Sequence, residues 1–167
     1  KSALEAGGRT IAVLGCGVDV VYPQRNKTLS EEIISSGAII SEFPLGTPPL
    51  PHYFPMRNRI ISGLSLGIAV IEAQEKSGSL ITASYAANQG KEVFALPGNI
   101  NSLYSSGTNL LIRDGARPLI NIEDIIDEIP ELRILKKRKI EKTLEEIPLS
   151  GTEMKILNLL REGPLHC

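Results

Sequence analysis

The chain has 167 residues, 42% apolar and 22% charged, enough for one packed domain plus a short further segment and not the composition of a wholly disordered polymer. A formal net charge of −1 excludes a bulk basic binder of nucleic acid, so any phosphate affinity has to come from cations placed locally. No run of about 18 apolar residues occurs, which leaves no candidate membrane-spanning helix.

Lys1 to Ala6 read as a helix entered partway along rather than as a secretory signal. Thr10 to Leu14 form an apolar run opening onto Gly15-Cys16-Gly17, the pattern of a buried strand ending in a tight turn. Thr28-Leu29-Ser30-Glu31 has the form of a capping box, so a helix is expected from there to Gly37. Ala38 to Glu42 is the next strand. Five prolines between Pro44 and Pro55 then make a loop, with helical pattern resuming only at Met56 and running to Leu66. Strands follow at Ile68 to Glu72, Glu92 to Leu96 and Pro118 to Ile120. Between them, helices are expected at Ser79 to Asn88 and near Asn109 to Arg113, and Asn121 caps a last one reaching Ile129. Short Ile/Val/Ala strands alternating with helices predict an α/β fold, a parallel sheet with helices on both faces.

Three domain-level segments are expected. Residues 1–129 form the α/β core. Residues 130–148 form a charged linker, in which Arg133, Lys136, Lys137, Arg138, Lys139 and Lys142 crowd a stretch with little apolar stripe. Residues 149–167 begin a further small domain: Ser150-Gly151-Thr152-Glu153 is a second capping box, Ile156, Leu157, Leu159 and Leu160 give one apolar face, and Gly163-Pro164 stops the helix. The two cysteines, Cys16 and Cys167, and two histidines, His52 and His166, lack metal-ligand spacing. A reduced, cytoplasmic protein without metal or cofactor is the simplest expectation.

Ligands of open α/β sheets bind outside the carboxyl ends of the strands. Two candidate segments carry chemistry. Lys76-Ser77-Gly78-Ser79-Leu80-Ile81-Thr82 is a small-residue loop entering a helix, where backbone N–H groups converge on an anion while Lys76 and the Ser77, Ser79 and Thr82 hydroxyls add charge and hydrogen bonds. The same residues equally describe a well-capped helix with no ligand. They lack the Gly-x4-Gly-Lys spacing of a nucleotide-phosphate loop, and Gly15-x-Gly17 lacks the third glycine of a dinucleotide fingerprint. In Phe54-Pro55-Met56-Arg57-Asn58-Arg59 the two arginines point about 200° apart on one helix. One is therefore free for phosphate while the other pairs with Glu42 or Glu72, and Phe54 is available to stack on a base. The competing reading makes this a structural Arg–Glu pair with Phe54 in the core. Cys16 has no evident base and His52 no partner, so no catalytic constellation emerges.

Taken in order, these segments resemble the DprA/Smf family of bacterial DNA-processing proteins. The resemblance runs from Gly8-Arg9-Thr10 through Gly15-Cys16-Gly17-Val18-Asp19, Tyr22-Pro23 with Asn26, and Ser41-Glu42-Phe43-Pro44. It continues in Phe54-Pro55-x-Arg57-Asn58-Arg59-Ile60-Ile61, Ser77-Gly78-Ser79-Leu80-Ile81-Thr82, Val93 to Gly98, Ser106-Gly107-x-Asn109 and Gly115-Ala116, covering about residues 1 to 130. It implies a Rossmann-like domain that binds single-stranded DNA in a pocket at the strand ends without turnover. It implies also a homodimer that protects incoming strands and delivers them to the RecA recombinase in natural transformation. The implied DNA contacts are Gly15, Gly17, Arg25, Asn26, Lys27, Phe54, Arg57, Asn58, Arg59, Lys76, Ser77, Gly78, Ser79 and Thr82, with no metal. Arg25 and Lys27 both lie where the family places a phosphate-binding lysine, and the resemblance does not choose between them. The tail is similar to the start of a winged-helix domain. The family's core also has earlier elements, including a Gly-Ser-Arg strand end, so this chain corresponds to the later part of the sheet and an edge strand is expected to be exposed.

Two rival readings stand beside this one. One is a nucleoside monophosphate phosphoribohydrolase of the lysine-decarboxylase-like (LOG) group, which requires a Pro-Gly-Gly-x-Gly-Thr-x-x-Glu motif where this chain has Glu72 to Thr82. The other is a dimerisation and RecA-docking module without its own ligand.

Overall fold

A computed structural model of the chain describes residues 1–146 and 150–161. The chain divides into two compact units, Lys1–Ile125 and Ile126–Cys167.

The first unit is α/β. After a short helix α1 (Ser2–Glu5), strand β1 (Ile11–Val13) leads through a 3-10 turn (Gln24–Asn26) into α2 (Lys27–Ser36), and β2 (Ala38–Ile40) returns beside β1. Helix α3 (Tyr53–Leu64) precedes β3 (Gly67–Val70), α4 (Gly78–Asn88), β4 (Glu92–Ala95), α5 (Leu103–Arg113), β5 (Arg117–Pro118) and the start of α6 (Glu123–Glu128). Every strand pair is parallel, as the continuous Ile/Val/Ala runs predict: β1 pairs with β2, and β3, β4 and β5 lie in that order. Among the described residues the pairing thus falls into two sheets, with β1 and β3 each paired on one side only. The Rossmann-like class is borne out.

The strands are one or two residues shorter than expected at their carboxyl ends, though single ladder bonds continue past them. Leu14 N–H donates to Ile40 O, Leu96 N–H to Val70 O and Leu119 N–H to Ala95 O, each at 2.9 Å. The expected residues are in place, and the difference lies in where pairing is counted to stop. Helix α4 packs on β3 and β4 and α5 on β4, around a core of Val70, Ala73 and Ala83 with Ile68, Leu80, Val93 and Leu111 against it. Small side chains on α4, Ala83 and Ala86 (1% and 0% exposed), let the helix lie close to the sheet.

Three expected boundaries are corrected. Helix α3 begins inside the proline loop, at Tyr53: Pro55 sits in its first turn, where a backbone N–H has no intrahelical acceptor to lose. Helix α2 begins at Lys27 with Asn26 at its cap, so Thr28 lies inside it and is not the capping residue; Ser30 Oγ instead donates to Asn26 O at 3.0 Å. Helix α5 starts six residues earlier than expected, with Gly107 in its interior. There glycine serves close approach rather than helix breaking, since a Cβ would sit 2.7 Å from both Ala73 O and Gln74 O.

In the second unit, the stretch expected as a charged linker with little apolar stripe is helical, α7 (Pro130–Glu146). Lys, Arg, Leu and Glu are strong helix formers and need no apolar stripe for it. Helix α8 (Gly151–Arg161) starts at the expected capping box: Ser150 N–H donates to Glu153 Oε2 at 2.8 Å, and Glu153 N–H reaches back to Ser150 Oγ at 3.4 Å. The side chains of Lys139, Lys142, Leu157 and Leu160, the Gly163-Pro164 stop and the 148/149 boundary lie outside the described residues.

Candidate nucleic-acid interface

Three loops meet at the carboxyl ends of β1 and β3. The first, after β1, is closed on itself and on its neighbour. Asp19 accepts Gly46 N–H with both carboxylate oxygens (2.9 and 3.0 Å), and Gly17 N–H donates to Thr47 O at 3.0 Å. Ser41 Oγ donates to Cys16 O at 2.6 Å and accepts Phe43 N–H at 3.0 Å. Gly15 and Gly17 are both buried. A Cβ on Gly17 would lie 2.7 Å from Pro44 O, and one on Gly15 would lie 3.3 Å from the Phe54 ring. The glycines of this loop therefore let other protein groups approach.

Cys16 lies inside it, 3% exposed, its Sγ donating to Val20 O at 3.3 Å. Burial pushes the thiol up, with Asp19 adding to the rise and the Arg57 charge opposing it. The group stays protonated at neutral pH, a poor nucleophile.

Helix α3 supplies the second set. Arg57 and Arg59 diverge as helical geometry requires. Arg59 turns to Glu42, with which it forms an ion pair, so of the two carboxylates weighed from the sequence Glu42 is the partner. Arg57 turns the other way. Its guanidinium donates to Val13 O at the end of β1, its Nε donates to Asn58 Oδ1 at 3.2 Å, and its plane lies 5.6 Å from the Phe54 ring centre. Partial burial lowers its pKa, opposed by Cys16, from a value so high that it remains charged. Among the described residues Arg57 bonds only neutral acceptors, so no carboxylate cancels its charge.

The third set is the start of α4, joined to the second through Asn58. Asn58 Nδ2 donates to Gly78 O at 3.5 Å, and Thr82 Oγ1 approaches the same oxygen at 3.5 Å. Ser77 caps the helix, its Oγ accepting Ser79 N–H at 3.3 Å. Gly78 has nothing within 4 Å of where a Cβ would stand, and Lys76, Gly78 and Ser79 are exposed. The loop before this helix is pinned from behind by α5: Ala73 N–H donates to Tyr104 O (2.9 Å) and Gly107 N–H to Ala73 O (2.8 Å).

Phe54, Arg57 and Asn58 are thus brought together with Ser77, Gly78, Ser79 and Thr82, while Arg59 faces elsewhere. Arg25 and Lys27 are exposed at the start of α2, and Asn26 stands at its cap, its backbone oxygen accepting from Ser30 Oγ. Their segment reaches the site through Tyr22, whose ring centre lies 5.9 Å from that of Phe54. The sequence places Tyr22 only within the family motif and gives it no role, and it does not disclose the Asp19–Gly46 clasp; an aromatic beside Pro23, in a loop following a strand, is the available signal for the first. Among the described residues no helix is long and apolar enough to cross a membrane, and no cluster of three metal-ligating side chains forms.

The family model for DNA recombination-mediator protein A matches residues 1–130. Protein Smf of Escherichia coli is 48% identical over 130 residues, covering 77% of this chain and 35% of that protein. The DNA processing protein DprA of Bacillus subtilis is 45% identical over 133 residues, 80% of this chain and 45% of that one. The chain thus spans less than half the length of these relatives. Among solved structures, the X-ray structure of DprA from Streptococcus pneumoniae superposes with a TM-score of 0.70 at 45% identity, over 77% of this chain and 45% of that one. DNA processing protein A from Helicobacter pylori, whose structure concerns its single-stranded DNA binding mode, gives 0.64 at 34% identity, over 77% and 57%.

Proposed function

This chain belongs to the DprA/Smf family, that of DNA recombination-mediator protein A, and on that footing we propose that it binds single-stranded DNA by its phosphates at the ends of β1 and β3. The observation that carries the reading is Arg57: a partly buried guanidinium, held by neutral acceptors and linked through Asn58 to the exposed start of α4. A net charge of −1 makes such local placement necessary. The start of α4 adds the positive end of the helix dipole, the exposed Lys76 adds a charge, and Arg25 and Lys27 extend the track on the α2 side. Arg59, paired with Glu42, supports the helix.

The function is binding without turnover. The buried thiol of Cys16 is held neutral, and no base is placed against it among the described residues. In the whole protein the role is protection of incoming strands and their delivery to RecA during natural transformation, by a homodimer in the cytoplasm. Support for these wider assignments is the family membership and the DNA binding mode described for the Helicobacter pylori relative.

Titration of oligo-dT across a salt series tests the reading. Log affinity falls linearly with log salt, with a slope of about −0.7 per phosphate neutralised on a single strand. Arg57→Gln, which keeps a neutral donor near Val13, weakens binding by about 10-fold or more and makes the slope shallower by roughly one contact. Lys76→Ala weakens it less, as an exposed charge does. Affinity indifferent to salt and to both substitutions would overturn the phosphate site, and release of adenine from AMP would favour a phosphoribohydrolase.

A further inference from the structure

The sequence offers Phe54 as the ring on which a base stacks, but the geometry points to Tyr22: we infer that Tyr22 is the nucleobase platform of this site and that Phe54 is its support. The inference rests on the single-stranded DNA reading above and adds where the base goes. Phe54 is half-buried and engaged by three protein groups. The backbone at Gly15 lies against it, so that a Cβ there would stand 3.3–3.5 Å from three ring carbons. The Arg57 guanidinium lies 5.6 Å from its centroid, and Tyr22 meets it at 5.9 Å with the planes tilted by 48°. A base cannot take a ring face that protein groups already use.

Tyr22 is the outer member of that pair and is 55% exposed. A large aromatic left that open, yet fixed by a ring contact on its inner side, is preorganised: a base gains stacking without first ordering the side chain. Its position also suits a nucleic acid strand. Arg57 touches Phe54 on the inner side, and the exposed Arg25 and Lys27 follow Tyr22 within five residues. A base on the ring then has cations for its neighbouring phosphates in both directions. Stacking of this kind tolerates any base.

The test compares oligo-dT with an oligonucleotide of equal length carrying abasic residues, against wild type, Tyr22→Phe, Tyr22→Ala and Arg57→Gln, by fluorescence anisotropy over a salt series. Tyr22→Ala is expected to weaken oligo-dT roughly 5- to 150-fold, the range for loss of one stacked base, with the salt slope unchanged. Tyr22→Phe keeps near-wild-type affinity. The abasic strand binds wild type and Tyr22→Ala alike. The chain has four tyrosines and no tryptophan, so quenching of tyrosine emission by oligo-dT reports the contact directly and should shrink in Tyr22→Phe although that variant still binds. If Tyr22→Ala binds oligo-dT as wild type does while Arg57→Gln is weakened, the platform assignment fails, the phosphate site stands, and the exposed ring is left for a protein partner. Equal weakening toward both strands would also overturn it, by making the ring a prop for the loop. No binding of either strand to wild type removes the phosphate site and the platform together.

Discussion

The glycine loop after β1 and the glycine loop before α4 use the same residue types at the same edge of the fold, and they differ in what fills the space beside each glycine. At Gly17 the space is filled by Pro44 O, Gly46 N and the Asp19 carboxylate, all within 3.0 Å of a notional Cβ. At Gly78 it is open to 4 Å. Asp19 spends its charge on Gly46 N–H, whereas Lys76 is exposed and Arg57 meets only neutral acceptors among the described residues. The first loop is a clasp between two chain segments. The second has open space beside its glycine and an exposed lysine, as an anionic ligand requires. Glycine in a strand-end loop therefore signals close approach, and only the neighbour shows whether protein or ligand does the approaching.

The strongest way to break this contrast is Gly17→Ala. The methyl group meets backbone at Pro44 O, which cannot swing away, so the clasp must open. Overpacking of this kind costs about 1–3 kcal/mol. Thermal melting should show a fall of roughly 3–10 °C for a domain of this size. An unchanged melting temperature would mean that the two loops are not held together as described. Gly78→Ala separates the two roles in the opposite sense. Its backbone is ordinary and its surroundings open, so alanine at the helix start is neutral or stabilises by about 0.4–1 kcal/mol. If a phosphate takes that space, the same substitution weakens oligo-dT binding several-fold. Stability up and affinity down is the expected pair of results, and retained affinity would move the phosphate away from Gly78.

The fold class, the chain order of its elements and the family were legible in the sequence because they depend on apolar periodicity and on ordered short motifs. Ile11 to Val13 and Ile68 to Val70 are strands for the same reason that they read as strands. The failures share another cause: a residue's local preference was overridden by its position. Pro55 read as part of a loop but sits in a first turn, and the helix read as starting near Asn109 begins earlier, with Gly107 under a crossing backbone. At the site, the divergence of Arg57 from Arg59 followed from 3.6 residues per turn. Which carboxylate Arg59 takes, and the Phe54–Tyr22 contact, depend on tertiary neighbours that no spacing encodes. The basic stretch of α7 reads as a tether because it has no apolar face, yet propensity alone suffices to make it helical.

A third loop sharpens the comparison with the smallest effect. Between β5 and α6, Asp124 accepts Ile120 N–H at 2.7 Å and Asn121 N–H at 2.9 Å, while Asn121 Oδ1 accepts Asp124 N–H at 3.1 Å. This turn satisfies its own donors, as the β1 loop does with Asp19 and the α4 start does with Ser77. The hydrogen bond from Asn121 and then that from Ile120 hold the Asp124 carboxyl below its ordinary value. A carboxylate with a depressed native pKa binds its proton less readily folded than unfolded. Its contribution is complete above the ordinary aspartate value, about 4, and is lost as pH falls through the lower native one. Asp124→Asn should lower the melting temperature slightly at neutral pH, with the gap from wild type closing below about pH 4. A gap that stays constant down to pH 2 would show that the charge is not what the two amides recognise. Asp124→Asn should also leave oligo-dT affinity at neutral pH untouched, because this turn carries none of the proposed phosphate-binding groups.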